Sequence, residues 1–222
     1  MMAYELCSPA LIDKVLAETF DDFLSGVGFR KIRPRFYVRT RFREMNDVIE
    51  FSRSHLDLNF VWGISLNFVP HITTGVENIR WHRTPKSAVS DLCRSGFGKN
   101  PETGWSIRTA QGEETLRRSA ELTKTEMLPK ALSYFDSLRG FHDLSSKFEE
   151  AARANDWGWT LEMHYQVHLA YAFYLAKAGR EREARQMMSA WLSRNFNSFR
   201  QETLERASRL FDEALDSPFA LQ

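Results

Sequence analysis

From Leu56 to Phe68 the chain alternates without a slip. Leu56, Leu58, Phe60, Trp62, Ile64, Leu66 and Phe68 hold one parity, and Asp57, Asn59, Val61, Gly63, Ser65 and Asn67 hold the other. Successive side chains of a strand point to opposite faces, so this pattern reads as a long strand with one apolar face. Such a strand needs partners beside it and cover on one side, which predicts an antiparallel meander with one buried and one wetter face. "DVIEFSRS" precedes it as a second strand, with Ile49 and Phe51 on one face and Val48, Glu50 and Ser52 on the other. "REMND" is the turn before that.

The stretch ahead of the turn, "RKIRPRFYVRTRFR", divides as sharply. Lys31, Arg33, Arg35, Tyr37, Arg39, Arg41 and Arg43 share a parity, against Ile32, Pro34, Phe36, Val38, Thr40 and Phe42. It reads as the first strand, starting after Pro34, since proline cannot donate to a ladder. Parity then predicts that Arg35, Arg39 and Arg41 project from the wetter face while Phe36, Val38 and Phe42 pack beneath. Burying unpaired guanidinium groups costs far more than exposing apolar side chains.

Helices surround this region. Ser8 and Pro9 open one as N-cap and first helical residue, Leu11, Ile12, Val15, Leu16, Thr19, Phe20, Phe23 and Leu24 form its apolar stripe, and Gly26 and Gly28 close it. Residues 70–112 read as loop, with a short strand near Ile79–His82, a short helix over "SAVSDLCRSGF" and a fourth strand at "GWSIRT". From Glu113 the pattern is helical, with Pro129 separating a helix that ends near Lys124 from one over Pro129–Leu138. After Gly140 four more helices follow, over 142–156, 160–179, 180–196 and 200–215. The pair "LAYAFYLAKAGREREARQMMSAWL" resembles a single tetratricopeptide-type hairpin, a pattern that any antiparallel helical hairpin shares. The expected fold is therefore α+β: a small antiparallel sheet of about four strands flanked by helices over residues 1–140, then an all-helical region over 141–222, packed on the first as one globule or standing as a second lobe.

An apolar fraction of 43% over 222 residues suits an ordinary folded chain with its own core. No apolar run is long enough for a transmembrane helix, and no basic start leads into an apolar block, so neither a membrane partner nor a signal peptide is expected. Cys7 and Cys93 are the only cysteines, which suits two thiols in a cytoplasmic setting, with one disulfide as the alternative. Net charge is +1, but residues 29–55 carry eight cations against three anions, while residues 1–28 carry one against five.

No phosphate loop, nucleophile elbow or paired-cysteine motif is present: "SGFGKN" lacks the spacing and the Ser/Thr that a phosphate loop requires. His164 and His168 lie four apart and would share a helix face, yet the third ligand that a metal needs is missing nearby. His82, between Trp81 and Arg83, has no carboxylate or nucleophile beside it in sequence. No catalytic residue, cofactor or metal is assigned. The reading is a non-enzymatic binding or interaction protein using the basic strand, the helical tail or both, with Arg33, Arg35, Tyr37, Arg39, Arg41, Arg80 and Arg83 as the candidate surface. Three explanations compete for the arginines. They are solvated or paired with Glu50, Asp57 and the acidic side of the first helix; they meet an acidic protein; or they meet nucleic acid, with Tyr37 stacking a base. An enzyme whose site is built from the 70–112 loops around His82 is a further alternative. Oligomeric state is not legible.

The order of pieces over roughly residues 10–138 resembles a bacterial family catalogued as domain of unknown function 4304. The residues that carry the resemblance are a helix closing on Gly28-Phe29, a basic linker, Phe36-Tyr37 with Arg39, the triplet Ser52-Arg53-Ser54, the strand around Phe60–Ile64, and the tryptophan segments Trp81–Arg83 and Gly104–Ile107. Ser52 stands where that pattern has glutamine, and Trp62-Gly63 replaces an asparagine-containing turn. The helical tail lies outside the resemblance, which implies a fold and no catalytic residue.

Overall fold

The computed structural model describes residues 6–42, 44–54, 57–73, 78–80, 92–95, 106–154 and 164–218. Helix α1 spans Pro9–Gly26, and the Ser8 hydroxyl caps it by accepting from the Leu11 N–H at 3.2 Å. Its apolar stripe, Ile12, Val15, Leu16, Phe20 and Leu24, is buried. Gly28 then takes a left-handed turn at φ +89°, which a side chain would oppose, and sends the chain into the sheet.

Strands β1 (Arg30–Arg33), β2 (Phe36–Phe42), β3 (Met45–Ser54) and β4 (Asp57–Leu66) form consecutive antiparallel pairs. The basic stretch is thus a hairpin rather than one strand. Its turn falls at Pro34-Arg35, where Arg35 adopts φ +63° and the Arg35 carbonyl accepts from the Phe51 N–H at 2.9 Å. Beyond β4 the sheet is completed by β7 (Leu92–Ser95), against Val61–Ile64, and β8 (Ser106–Arg108), against Asp57–Asn59. A separate ribbon pairs β5 (His71–Thr73) with β6 (Asn78–Arg80).

Three further expectations do not hold. Leu92–Ser95 is strand, not helix, because the outer edge of β4 offers a row of backbone N–H and C=O groups that need partners. Burial along β4 alternates only at its start. From Val61 onward both parities are covered, and Val61 itself is 1% exposed. The strand lies between β3 on one edge and β7 and β8 on the other, and the second face carries its own small cluster of Phe36, Val38, Val48 and Val61. Phe42, expected in the core, is an exposed apolar side chain near the end of β2.

Helix α2 (Gly112–Leu122) runs through a π-helical turn (Thr123–Met127) into α3 (Leu128–Asp136). The Leu128 N–H reaches the Thr123 carbonyl five residues back. The widened turn accommodates Pro129, which lacks an N–H and whose ring would press on the carbonyl four residues before it. Helices α4 (Phe141–Ala154), α5 (His164–Lys177), α6 (Glu181–Asn195) and α7 (Gln201–Leu215) follow. One contiguous apolar cluster extends from Ile12 of α1 through Phe60 and Trp62 of β4 to Phe211 and Ala214 of α7, so the sheet and the tail share a core.

Candidate functional site

The arginines of β2 keep strand parity, but the face they share is the covered one. Register pairs Tyr37 with Ile49 and Arg39 with Asp47, and β3 pairs Ile49 with Trp62 and Asp47 with Ile64. Arg39 and Arg41 therefore point to the side that packs against the helices, beside Tyr37, one of the largest fully buried side chains. This corrects the expectation of a solvated face. The cost that motivated that expectation applies to unpaired guanidinium groups, and these are paired.

Asp47, with a side chain 0% exposed, accepts from the Nε of Arg39 at 2.7 Å and from the Nε of Arg41 at 2.8 Å through a single oxygen, Oδ2. Asp136, the last residue of α3, accepts from the Nη2 of both arginines. Arg39 Nη1 donates to the Val27 carbonyl and Arg41 Nη1 to the Leu138 carbonyl. The Arg39 guanidinium also lies 4.9 Å from the centre of the Phe29 ring. Burial pushes the Asp47 carboxyl above its ordinary value; Arg41 and Arg39 pull against that push without cancelling it.

The rest of the hairpin follows the same rule. Lys31 pairs with Asp21 at 2.8 Å, and the Tyr37 hydroxyl donates to the same carboxylate at 2.6 Å. Burial first, and that acidic acceptor second, push the Tyr37 phenol well above its usual range. Arg35 pairs with Asp13 of α1. Arg33 pairs with Glu50 and lies over the Phe36 ring, so the register shift between Lys31 and Arg33 puts it on the opposite face from Arg39. Asp57 pairs with Arg108 of β8. Arg80 belongs to the separate β5–β6 ribbon, and Arg83 and His82 lie outside the described residues.

In the tail, His168 Nε2 lies 3.0 Å from Arg194 Nη1. Guanidinium has no lone pair to offer, so that ring nitrogen accepts a hydrogen bond from the Arg194 N–H and its lone pair is occupied. The side chain of His164 lies outside the described residues. Where α6 meets α7, a groove of about 470 Å³ is lined by Leu192, Ser193, Phe196, Leu204, Glu205 and Ser208, among others. Of these, Phe196 is 64% exposed, Leu192 is half-buried and Leu204 is buried. The Glu205 carboxylate sits at its margin, accepting from Gln201 at 3.2 Å.

Asp47, Asp136 and Phe196 lie outside the surface expected from the sequence. Asp47 had a signal: an acid on the parity of Ile49 and Phe51, in the strand that follows the arginines. Asp136 is 95 residues or more from its partners in sequence, and Phe196 continues an i, i+4 row from Leu192 that a buried stripe would show equally. Comparison with protein-family models, with curated proteins and with solved structures found no match to this chain.

Proposed function

We propose that this is a non-enzymatic interaction protein whose contact surface is the groove between α6 and α7. The observation that carries this reading is Phe196, which holds an aromatic ring largely in solvent over a concave, partly apolar floor. Peptide-binding faces commonly take apolar anchor side chains into a groove, and aromatic residues are enriched among the side chains that carry binding energy. Among the described residues the lining contains no lysine or arginine and one carboxylate, Glu205. Charge complementarity then selects a protein segment that inserts one large apolar side chain and carries a basic residue beside it. The strand arginines are left out of the surface because carboxylates of the same chain already engage Arg33, Arg35, Arg39 and Arg41.

The test is selection of a displayed random-peptide library on the whole protein, with a Phe196→Asp variant as the counter-target. Enriched peptides should share an apolar residue flanked by Lys or Arg and should lose at least about tenfold in affinity on the variant, equivalent to roughly 1.4 kcal/mol. Peptides that bind both proteins equally, or no enrichment at all, would remove the groove as the contact surface. Enrichment of acidic peptides would return the assignment to the basic hairpin.

A further inference from the structure

A second cavity, of about 320 Å³, opens at the other end of α7, where the sheet meets the tail. It is lined by Glu44 from the β2–β3 turn, Asn67 and Phe68 just after β4, Lys177 at the end of α5, and Glu213, Ala214 and Ser217 around the end of α7. Its polar groups are positioned from behind. Thr40 donates to the Asn46 amide oxygen at 2.9 Å, and the buried Asn46 amide donates to Asn67 Oδ1 at 2.8 Å. That chain fixes the Asn67 side chain and leaves its Nδ2 with no hydrogen bond among the described residues.

On the opposite wall, Lys177 Nζ donates to the Ser217 carbonyl at 2.6 Å and to its hydroxyl at 2.8 Å, while that hydroxyl donates to the Glu213 carbonyl at 3.1 Å. The ammonium is thereby held at the cavity wall; burial draws its affinity for the proton down and Glu44 opposes this. The carboxylates of Glu44 and Glu213 make no hydrogen bond among the described residues. The cavity thus presents a fixed cation, an amide donor and two carboxylates without hydrogen bonds among the described residues, and an apolar side formed by Phe68 and Ala214.

We propose that this cavity binds a free dibasic amino acid, arginine or lysine. Among the described residues the wall carries two negative charges and one positive charge, and such a ligand carries the complement, two positive and one negative, at neutral pH. Its carboxylate faces Lys177 and the Asn67 amide, its two cationic groups face Glu44 and Glu213, and its methylene chain lies along Phe68 and Ala214. Ligand pockets commonly combine an apolar wall with a few convergent polar groups in this way. The proposal is independent of the α6–α7 groove, which lies at the opposite end of α7.

Titration calorimetry of the whole protein with four probes tests it: L-lysine, L-arginine, L-norleucine, which lacks the side-chain cation, and 1,5-diaminopentane, which lacks the carboxylate. Lysine or arginine should bind, and norleucine and the diamine should each bind at least about tenfold more weakly. Glu213 is exposed, so Glu213→Gln should leave the melting temperature unchanged while weakening lysine at least about tenfold. Absence of heat with both amino acids at millimolar concentration overturns the proposal. So does equal binding of norleucine or of the diamine, or lysine binding that Glu213→Gln leaves intact.

Discussion

The arginine hairpin and the helical tail are both rich in charge, and they hold it differently. In the hairpin, Arg39 and Arg41 are only 18% and 15% exposed, and their guanidinium groups meet a buried aspartate, a surface aspartate and two backbone carbonyls. In the tail, Arg185 meets Glu181 within one turn of helix and Asp212 of α7, out in solvent, and the half-buried Arg180 meets Glu183 in its own turn and Glu149 of α4. There the interior is filled by apolar and aromatic side chains, as where Phe148 stacks on Tyr171 at 5.0 Å. Cation density along a chain therefore says little about cation availability. The hairpin, with the higher density, is largely neutralised by its own chain, whereas the tail leaves a large aromatic in water.

The largest expected break in this comparison comes from Asp47. Asp47→Ala leaves two poorly hydrated guanidinium groups without their inner partner and should cost about 3–5 kcal/mol in chemical denaturation, the range for breaking a buried pair. Asp47→Asn should cost clearly less, since it keeps an acceptor for the two Nε groups and removes a charge that burial already disfavours. Arg185→Ala in the tail should leave the denaturation midpoint unchanged. If the Asp47→Ala and Arg185→Ala midpoints coincide, the two regions do not differ as described.

Beneath both kinds of charge lies one core, so truncations in either region should behave alike. Leu66→Ala in the sheet and Leu175→Ala in the tail should each cost about 2–5 kcal/mol, with a single transition by both near-UV and far-UV circular dichroism. Two separated transitions would show that the sheet and the tail unfold independently.

Tyr37 gives a pH-dependent contrast. Its phenol is held protonated in the folded chain well beyond its unfolded value of about 10. Above that pH the unfolded chain releases the proton and the folded chain keeps it, so the folded state binds more protons and stability falls as pH rises. The contribution is fully present below about pH 10 and is lost above it. Tyr37→Phe should cost about 1 kcal/mol at pH 7 through loss of the bond to Asp21, and should flatten the alkaline fall in melting temperature. An unchanged alkaline slope would place the controlling group elsewhere.

The smallest effects are expected at the surface end of the arginine network. Asp136 is 65% exposed, and Asp136→Ala should cost no more than about 1 kcal/mol. Because Arg33, Arg35, Arg39 and Arg41 are engaged internally, a labelled single-stranded oligonucleotide should show no change in fluorescence polarisation with the wild type, even at low salt. Binding that falls steeply as salt rises would show that phosphates displace the internal carboxylates, and would make the hairpin a nucleic-acid surface after all.

Much of the fold is legible in the sequence because local physics specifies it. Ser8 and Pro9 set the start of α1, and the alternation through Leu58–Leu66 sets β4 and the face of it that meets the helices. The glycines and prolines mark most of the breaks, and the helices after Gly140 appear within a few residues of their expected limits, apart from the limits at 156 and 160, which lie outside the described residues. The amount of cation in the hairpin is likewise a property of the sequence. Where that charge would point was decided only in three dimensions. Strand parity says that Arg39 and Arg41 share a face with Tyr37, but it does not say which face the helices will cover. The answer depends on Asp47 arriving opposite Arg39 from the neighbouring strand and Asp136 arriving from the end of a helix nearly a hundred residues away. The same holds for the cavity between the sheet and the tail, whose wall joins Glu44, Asn67, Lys177 and Glu213. Backbone periodicity fixes what a segment can be, whereas the free energy of burying a charge is fixed by the partners that the whole fold brings to it.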